Sequence, residues 1–440
     1  MIDLQRHRDA VASMETIEHS GRVSQIVGLT VESNGPSAKI GDVCHIFDLK
    51  DAHYVQSEVV GFRDSKVLLM PFGDLSGIGP GSRVVSTNQL LMAPVGMDFR
   101  GRILDALGNP IDGKGAVVPD AFYPIENDPP NPLSRKRIKE VLPLGVRSID
   151  ALLTMGRGQR VGIFAGSGVG KSTLMGMIAR NATADVNVIT LIGERGREVL
   201  DFVEKDLKEE GLKRSVLVVA TSDQPALVRL KSAMVGTAMA EYFRDQGYNV
   251  LLLMDSLTRF AMAQREIGMA TGEPPVSRGF PPSVYAKLPR LLERSGTNES
   301  GAITGLYTVL VEGDDMNEPV ADTVRGILDG HFVLTRQLAN NNHYPPIDVM
   351  QSVSRLMPDI VQEDHLRISN RVKSHISTYR EAQDLINIGA YVAGSNPGID
   401  EAIRLNEPIN ALLRQGIDEQ FSFDQTMQAL HTLVGEGGSA

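Results

Sequence analysis

The residues of this chain whose types and spacing point most directly to chemistry are AGSGVGKS at 165–172. Gly166, Gly168 and Gly170 let the backbone curl without Cβ clashes. Successive N–H groups, and the N-terminus of a following helix, then turn toward an anion. The phosphate-binding stretch predicted here is Gly166, Ser167, Gly168, Val169, Gly170, Lys171, Ser172 and Thr173. Lys171 is placed to reach β and γ phosphates and the Ser172 hydroxyl to ligate Mg²⁺. A glycine-rich turn with an incidental Lys-Ser is the plainer alternative. The apolar run 161–164 before the loop and Thr173–Ile178 after it supply the strand–loop–helix context that the alternative lacks. Ala165 departs from the usual first glycine, a small residue that the position should tolerate.

Holding phosphates is not hydrolysing them; a magnesium organiser, a water positioner and a stabiliser of developing charge are also needed. The run NVLLLMDS at 249–256 ends an apolar strand in Asp255, placed to hold Mg²⁺ through water, although an Asp there also suits a plain strand end or helix cap. The segment GERGREV at 193–199 puts Glu194 at the C-terminal end of a parallel strand, facing the crevice where such sheets bind ligands. Glu198 competes with it for the role of orienting the attacking water. Both also fit a solvated cluster with Arg195 and Arg197, and spacing alone leaves the choice open.

The elements that must position these groups follow from pattern and composition. At 440 residues the chain exceeds one ordinary core, and its 42% hydrophobic and 22% charged content is that of a globular protein. No apolar run is long enough for a membrane helix, and the charged start MIDLQRHRDAV is unlike a signal peptide, which points to a cytosolic protein. Cys44 has no cysteine with which to pair, and the net charge of −10 disfavours nonspecific nucleic-acid or anionic-membrane binding. Residues 1–20 carry Leu4, Val11, Met14 and Ile17 at helical spacing, an arm that packs on its own domain or docks a partner. Closely spaced strands punctuated by turn residues predict a small β-barrel over 21–92. Alternating strands and helices over 93–358 predict an α/β domain with a mainly parallel sheet covered on both faces, and 359–440 reads as a helical domain ending in a frayed GEGGSA.

Together, AGSGVGKS, GERGREV, LLLMDSLTRF, EPPVSRGFPPSVYAKLPRLLERSG and YPPIDVMQSVSR resemble the catalytic subunits of rotary F/V-type ATPases, and within them the ATPases of type III protein export, flagellar export most of all. The likeness runs from about residue 22 to the C-terminus. It implies a RecA-like nucleotide domain between an N-terminal barrel and a C-terminal helical domain, assembled as a homohexamer with sites between neighbours. By the resemblance Glu194 is the catalytic glutamate and Glu198 a secondary, water-mediated magnesium residue. Arg355 is the arginine entering the next subunit's site, and Arg195 and Arg259 lie near the phosphates. Tyr344 stacks on adenine, while Gln415 stands where rotary ATPases place a second aromatic, which puts base selectivity in question. The segment 271–283, with Arg278 and Phe280, faces a central channel; the acidic run 312–319 receives no role.

The same resemblance implies ATP with Mg²⁺ as substrate. It also implies a stator-like regulatory protein on the 1–20 arm, a central stalk protein in the channel, export substrates with their chaperones, and an export gate at the inner membrane, with the chain cytoplasmic and peripherally attached. Two other readings compete. A virulence-type secretion ATPase shares the chemistry. An RNA translocase similar to the transcription terminator Rho requires a basic barrel with stacking aromatics, whereas residues 22–90 offer Phe47, Tyr54, Phe62 and Phe72 balanced by acids. A noncatalytic regulatory subunit is disfavoured by Glu194.

Overall fold

The computed structural model describes residues 8, 20–311, 313 and 315–435, so the predicted N-terminal arm and the frayed C-terminal tail lie outside the described residues. Six antiparallel strands close a barrel in the order β1-β2-β5-β4-β3-β6: β1 (Ser20–Val27), β2 (Thr30–Asn34), β3 (Asp42–Phe47), β4 (Tyr54–Arg63), β5 (Lys66–Pro71) and β6 (Arg83–Leu90). Their β-branched residues alternate inward, and Val23, Val31, Ile46, Val59 and Leu69, with Cys44, fill the interior. The β4–β5 hairpin turns through Asp64 and Ser65, both at positive φ, as the right-handed twist of a two-residue turn demands.

Most of residues 92–440 form a second compact unit. Two short strands, β7 (Met92–Val95) and β9 (Ala121–Pro124), pair with each other, and β8 (Ile103–Asp105) joins the edge of a larger sheet. That sheet has nine strands: besides β8 it contains β10 (Arg160–Ala165), β11 (Val186–Glu194), β12 (Ser215–Thr221), β13 (Asn249–Asp255), β14 (Gly296–Thr297), β15 (Ala302–Leu310), β16 (Gly330–Leu334) and β17 (Val353–Ser354). The order is β17-β16-β10-β15-β13-β11-β12-β8, with β14 paired on β15. All pairings are parallel except β16–β17 and β14–β15. The central strands β11, β13 and β15 are buried along almost their whole length, the signature of a sheet covered on both faces.

Helix α1 (Arg147–Leu152) precedes β10, and α2 (Lys171–Asn181) follows it directly. The C-terminal region is helical, as its sequence predicts, with long helices over Glu363–Asn387, Pro397–Leu413 and Phe423–Gly435. These rest on α1: His365 Nε2 lies 2.8 Å from the Ala151 carbonyl, and Ser369 Oγ donates to the same oxygen at 2.7 Å. One continuous apolar core runs from Ile163 and Leu253 through Ile149 and Leu152 to Ile368, Leu405 and Leu412.

Candidate active site

The loop 166–170 leaves the C-terminal end of β10 and enters α2 at Lys171. Gly168 and Gly170 sit at φ +76° and +97°, conformations that a Cβ would strain. Ala165 is buried, the last residue of β10, in register with Leu310 of β15 and Leu334 of β16, and its φ is not positive. A glycine is therefore not required there. The loop forms one wall of a cavity of about 650 Å³ whose other walls include Glu194, Glu198, Thr258, Arg259 and Glu318.

Parallel register brings the two carboxylates to this cavity. Glu194 ends β11 and Asp255 ends the neighbouring β13. Lys171 Nζ bonds Asp255 Oδ1 and lies 3.7 Å from Glu194 Oε1. Thr308 of β15 also donates to Asp255 Oδ1, at 2.7 Å. Burial first, and then the neighbouring charge of Asp255, push the Glu194 carboxyl up to about 7, against the pull of Lys171. The lysine thus bridges two partly desolvated acids on adjacent strands.

Ser172 and Thr173 line the cavity at the start of α2, beside Gly166, Ser167 and the rest of the loop. Arg195 is exposed on its rim and pairs with Glu198 at 3.6 Å. Arg259 packs its aliphatic stem beneath Gly193, whose added Cβ would lie 3.4 Å from it. Hard oxygen donors from Ser172 and Asp255 suit a magnesium ion that arrives with phosphates, since that ion is held by one or two carboxylates plus substrate oxygens. Among the described residues no cluster of three or more His, Cys, Asp or Glu could hold a metal by itself.

Two predicted residues lie outside this cavity. Tyr344 is half exposed, and its ring edge lies 3.9 Å from where a Cβ on Gly170 would stand, so it flanks the loop from the other side. Arg355 is exposed at the opposite end of the sheet. Its N–H donates to the Asp329 carbonyl (3.0 Å), and Asp329 in turn holds Arg160, the first residue of β10. The six residues of β10 separate Arg355 from the loop, about 17 Å at strand spacing, so Arg355 does not reach its own phosphate loop.

Other residues were not singled out by the sequence. Thr308 fixes Asp255, and Arg336, after β16, donates to the Ser167 carbonyl at 3.4 Å and lines the cavity. Only strand order, which places β15 and β16 beside β13 and β10, would have revealed either.

Fold and site define an α/β phosphate-loop protein whose nucleotide cavity opens at the C-terminal edge of a parallel sheet. Residues 23–88 match the β-barrel domain of the ATP synthase alpha/beta family, residues 145–354 its nucleotide-binding domain, and residues 361–432 the T3SS EscN ATPase C-terminal domain. The chain is 54% identical to the flagellum-specific ATP synthase of Bacillus subtilis, over 97% of this chain and 98% of that one. It is 49% identical to the type 3 secretion system ATPase of Xanthomonas euvesicatoria, over 97% and 96%. The assembled ATPase EscN of the enteropathogenic E. coli type III secretion system superposes with a TM-score of 0.88 at 44% identity, over 94% of this chain and 100% of EscN. The same scores hold for EscN in complex with its central stalk EscO. The chain belongs to the ATP synthase alpha/beta family, in the group that contains flagellum-specific ATP synthases and type 3 secretion system ATPases.

Proposed function

We propose that the chain hydrolyses Mg²⁺-bound ATP as a ring of six and energises export of flagellar proteins through a type III apparatus. The observation that carries this reading is the convergence of Lys171, Glu194 and Asp255 on one cavity at the ends of β10, β11 and β13. An entering triphosphate gives Lys171 a stronger anionic partner than either acid. The backbone N–H groups of 166–170, with Lys171, take the phosphates. Ser172 and Asp255 hold the magnesium, with Glu198 as an outer contact, and the ion neutralises charge that builds on the leaving phosphate. Glu194, freed from Lys171, orients the water and accepts its proton, a role suited to a carboxyl held near neutrality. Arg195 and Arg259 flank the phosphates, Tyr344 stacks on the base, and Arg355 completes the neighbour's site.

The barrel (21–92), nucleotide domain (93–358) and helical domain (359–440) each take one part of the assembly. A stator-like regulator binds the 1–20 arm and a central stalk occupies the channel faced by 271–283. Export substrates with their chaperones are delivered to a gate in the inner membrane, where the ring sits peripherally on the cytoplasmic side. Among the described residues no helix is long and apolar enough to cross a membrane. The flagellar assignment follows the relatives of higher identity, the virulence-type pathway being the alternative.

Glu194→Gln tests the chemistry. It should bind Mg-ATP with near wild-type affinity while phosphate release falls by about 10²–10⁴-fold. Hydrolysis close to wild type would move the water-positioning role to another carboxylate.

A further inference from the structure

The loop carrying Tyr344 is fastened from outside the nucleotide domain. The Gln415 N–H donates to the Tyr344 carbonyl at 2.8 Å. Its side chain, 4% exposed, meets three backbone groups. Oε1 accepts from the Arg147 N–H (2.9 Å), and Nε2 donates to the carbonyls of Gly145 (2.9 Å) and Glu419 (3.0 Å). Both amide hydrogens are used and the oxygen is occupied, and this pattern fixes which way round the amide lies. The nearby aromatic Phe421 is engaged as well, its ring stacked beneath the Arg147 guanidinium at 4.3 Å.

We infer that Gln415 is a positioning residue that holds the base-stacking loop in place, and that the base site consequently accepts adenine and guanine triphosphates alike. The inference rests on the nucleotide-hydrolysing reading above and adds its substrate range. An amide satisfied on all sides has no free donor or acceptor with which to read a base edge. The group that faces the base is then the π-face of Tyr344, and every base has a π-face to offer in return. Discrimination of many hundredfold requires a buried group that the wrong base leaves unpaired, and a stacking face supplies none. Purines stack better than pyrimidines, so cytidine triphosphate is used with a higher KM rather than refused.

Steady-state hydrolysis of ATP, GTP and CTP by the full chain tests this, alongside Gln415→Met, which keeps the length and loses the hydrogen bonds, and Gln415→Glu, which keeps the bond from Arg147. The wild type should show kcat/KM for ATP and GTP within about fivefold. Gln415→Met should raise KM for both by a common factor of about ten with kcat within twofold, and Gln415→Glu should recover part of that loss. Combined with Tyr344→Ala, Gln415→Met should add nothing further, because the two act through one loop. Preference for ATP over GTP above a hundredfold overturns the inference. A fall in kcat at constant KM, or additive effects with Tyr344→Ala, overturns the positioning role. If Gln415→Met does not fold, the ATP to GTP ratio and the Gln415→Glu KM decide. If the wild type hydrolyses no triphosphate, the ATPase reading fails separately, and equilibrium binding of fluorescent ATP and GTP decides the base question.

Discussion

Lys171 occupies an unusual position for a cation: one ammonium lies between two acids that would otherwise repel each other, and only one of them, Asp255, also has the Thr308 hydroxyl on it. Removing the ammonium costs twice. The phosphates lose their point charge, and Asp255 and Glu194 face each other with less to offset their charge. Lys171→Ala is therefore expected to lower phosphate release by at least about a thousandfold. Lys171→Arg should not restore it, because the planar fork of a guanidinium does not fit a slot shaped for a compact ammonium. Hydrolysis by Lys171→Arg within tenfold of wild type would show that charge at this position suffices without that geometry. The loop, Glu194 and Asp255 were legible from sequence because each closes an apolar strand, a local pattern. Thr308 and Arg336 were not, since each meets its partner across 53 or 169 residues through strand pairing that no local pattern encodes.

At the scale of elements, the approach to β10 depends on one buried acid. Asp150 of α1 accepts the N–H groups of Leu144 (2.9 Å) and Gly145 (2.8 Å), which shapes the turn beside which Gln415 docks. Complete burial nonetheless pushes its carboxyl up to about 7, the backbone hydrogen bonds opposing the shift. Because the folded value lies above the unfolded one, the contribution to stability is full below about 4 and is lost as pH rises through 7. Asp150→Asn still accepts through one oxygen and does not ionise. Its melting temperature should accordingly lie below that of the wild type at pH 5, by an amount that shrinks or reverses at pH 8. A gap that widens with pH would mean that the folded state favours the carboxylate. Barrel, parallel sheet and helical region were all anticipated from periodicity, since β-branched alternation and continuous apolar runs are local. Gln415 was anticipated only as a missing aromatic; that it ties α1, the Tyr344 loop and the C-terminal segment together required the folded chain.

At the scale of the molecule, the site is divided between the two ends of one sheet. The phosphate loop follows the last residue of β10, and Arg355 sits beside the first. A rigid, buried strand cannot shorten, so within one chain the guanidinium and the phosphates stay about a strand length apart. Closed rings resolve this separation, because a head-to-tail interface brings one subunit's Arg355 face to the next subunit's loop. Hydrolysis per subunit should then rise with protein concentration as rings form, and Arg355→Ala should remove the rise. Mixing provides the sharper test. Lys171→Ala lacks its own phosphate grip but presents an intact Arg355, and Arg355→Ala has the reverse defect. Each alone should be nearly inactive. Combined in equal amounts and allowed to exchange, they should generate intact sites at about a quarter of interfaces, since each half is drawn at random from two kinds of subunit. Activity that returns toward that fraction, and that requires both variants, is the signature of a site completed in trans. A mixture as inactive as its components would confine Arg355 to a structural role on the Asp329 edge.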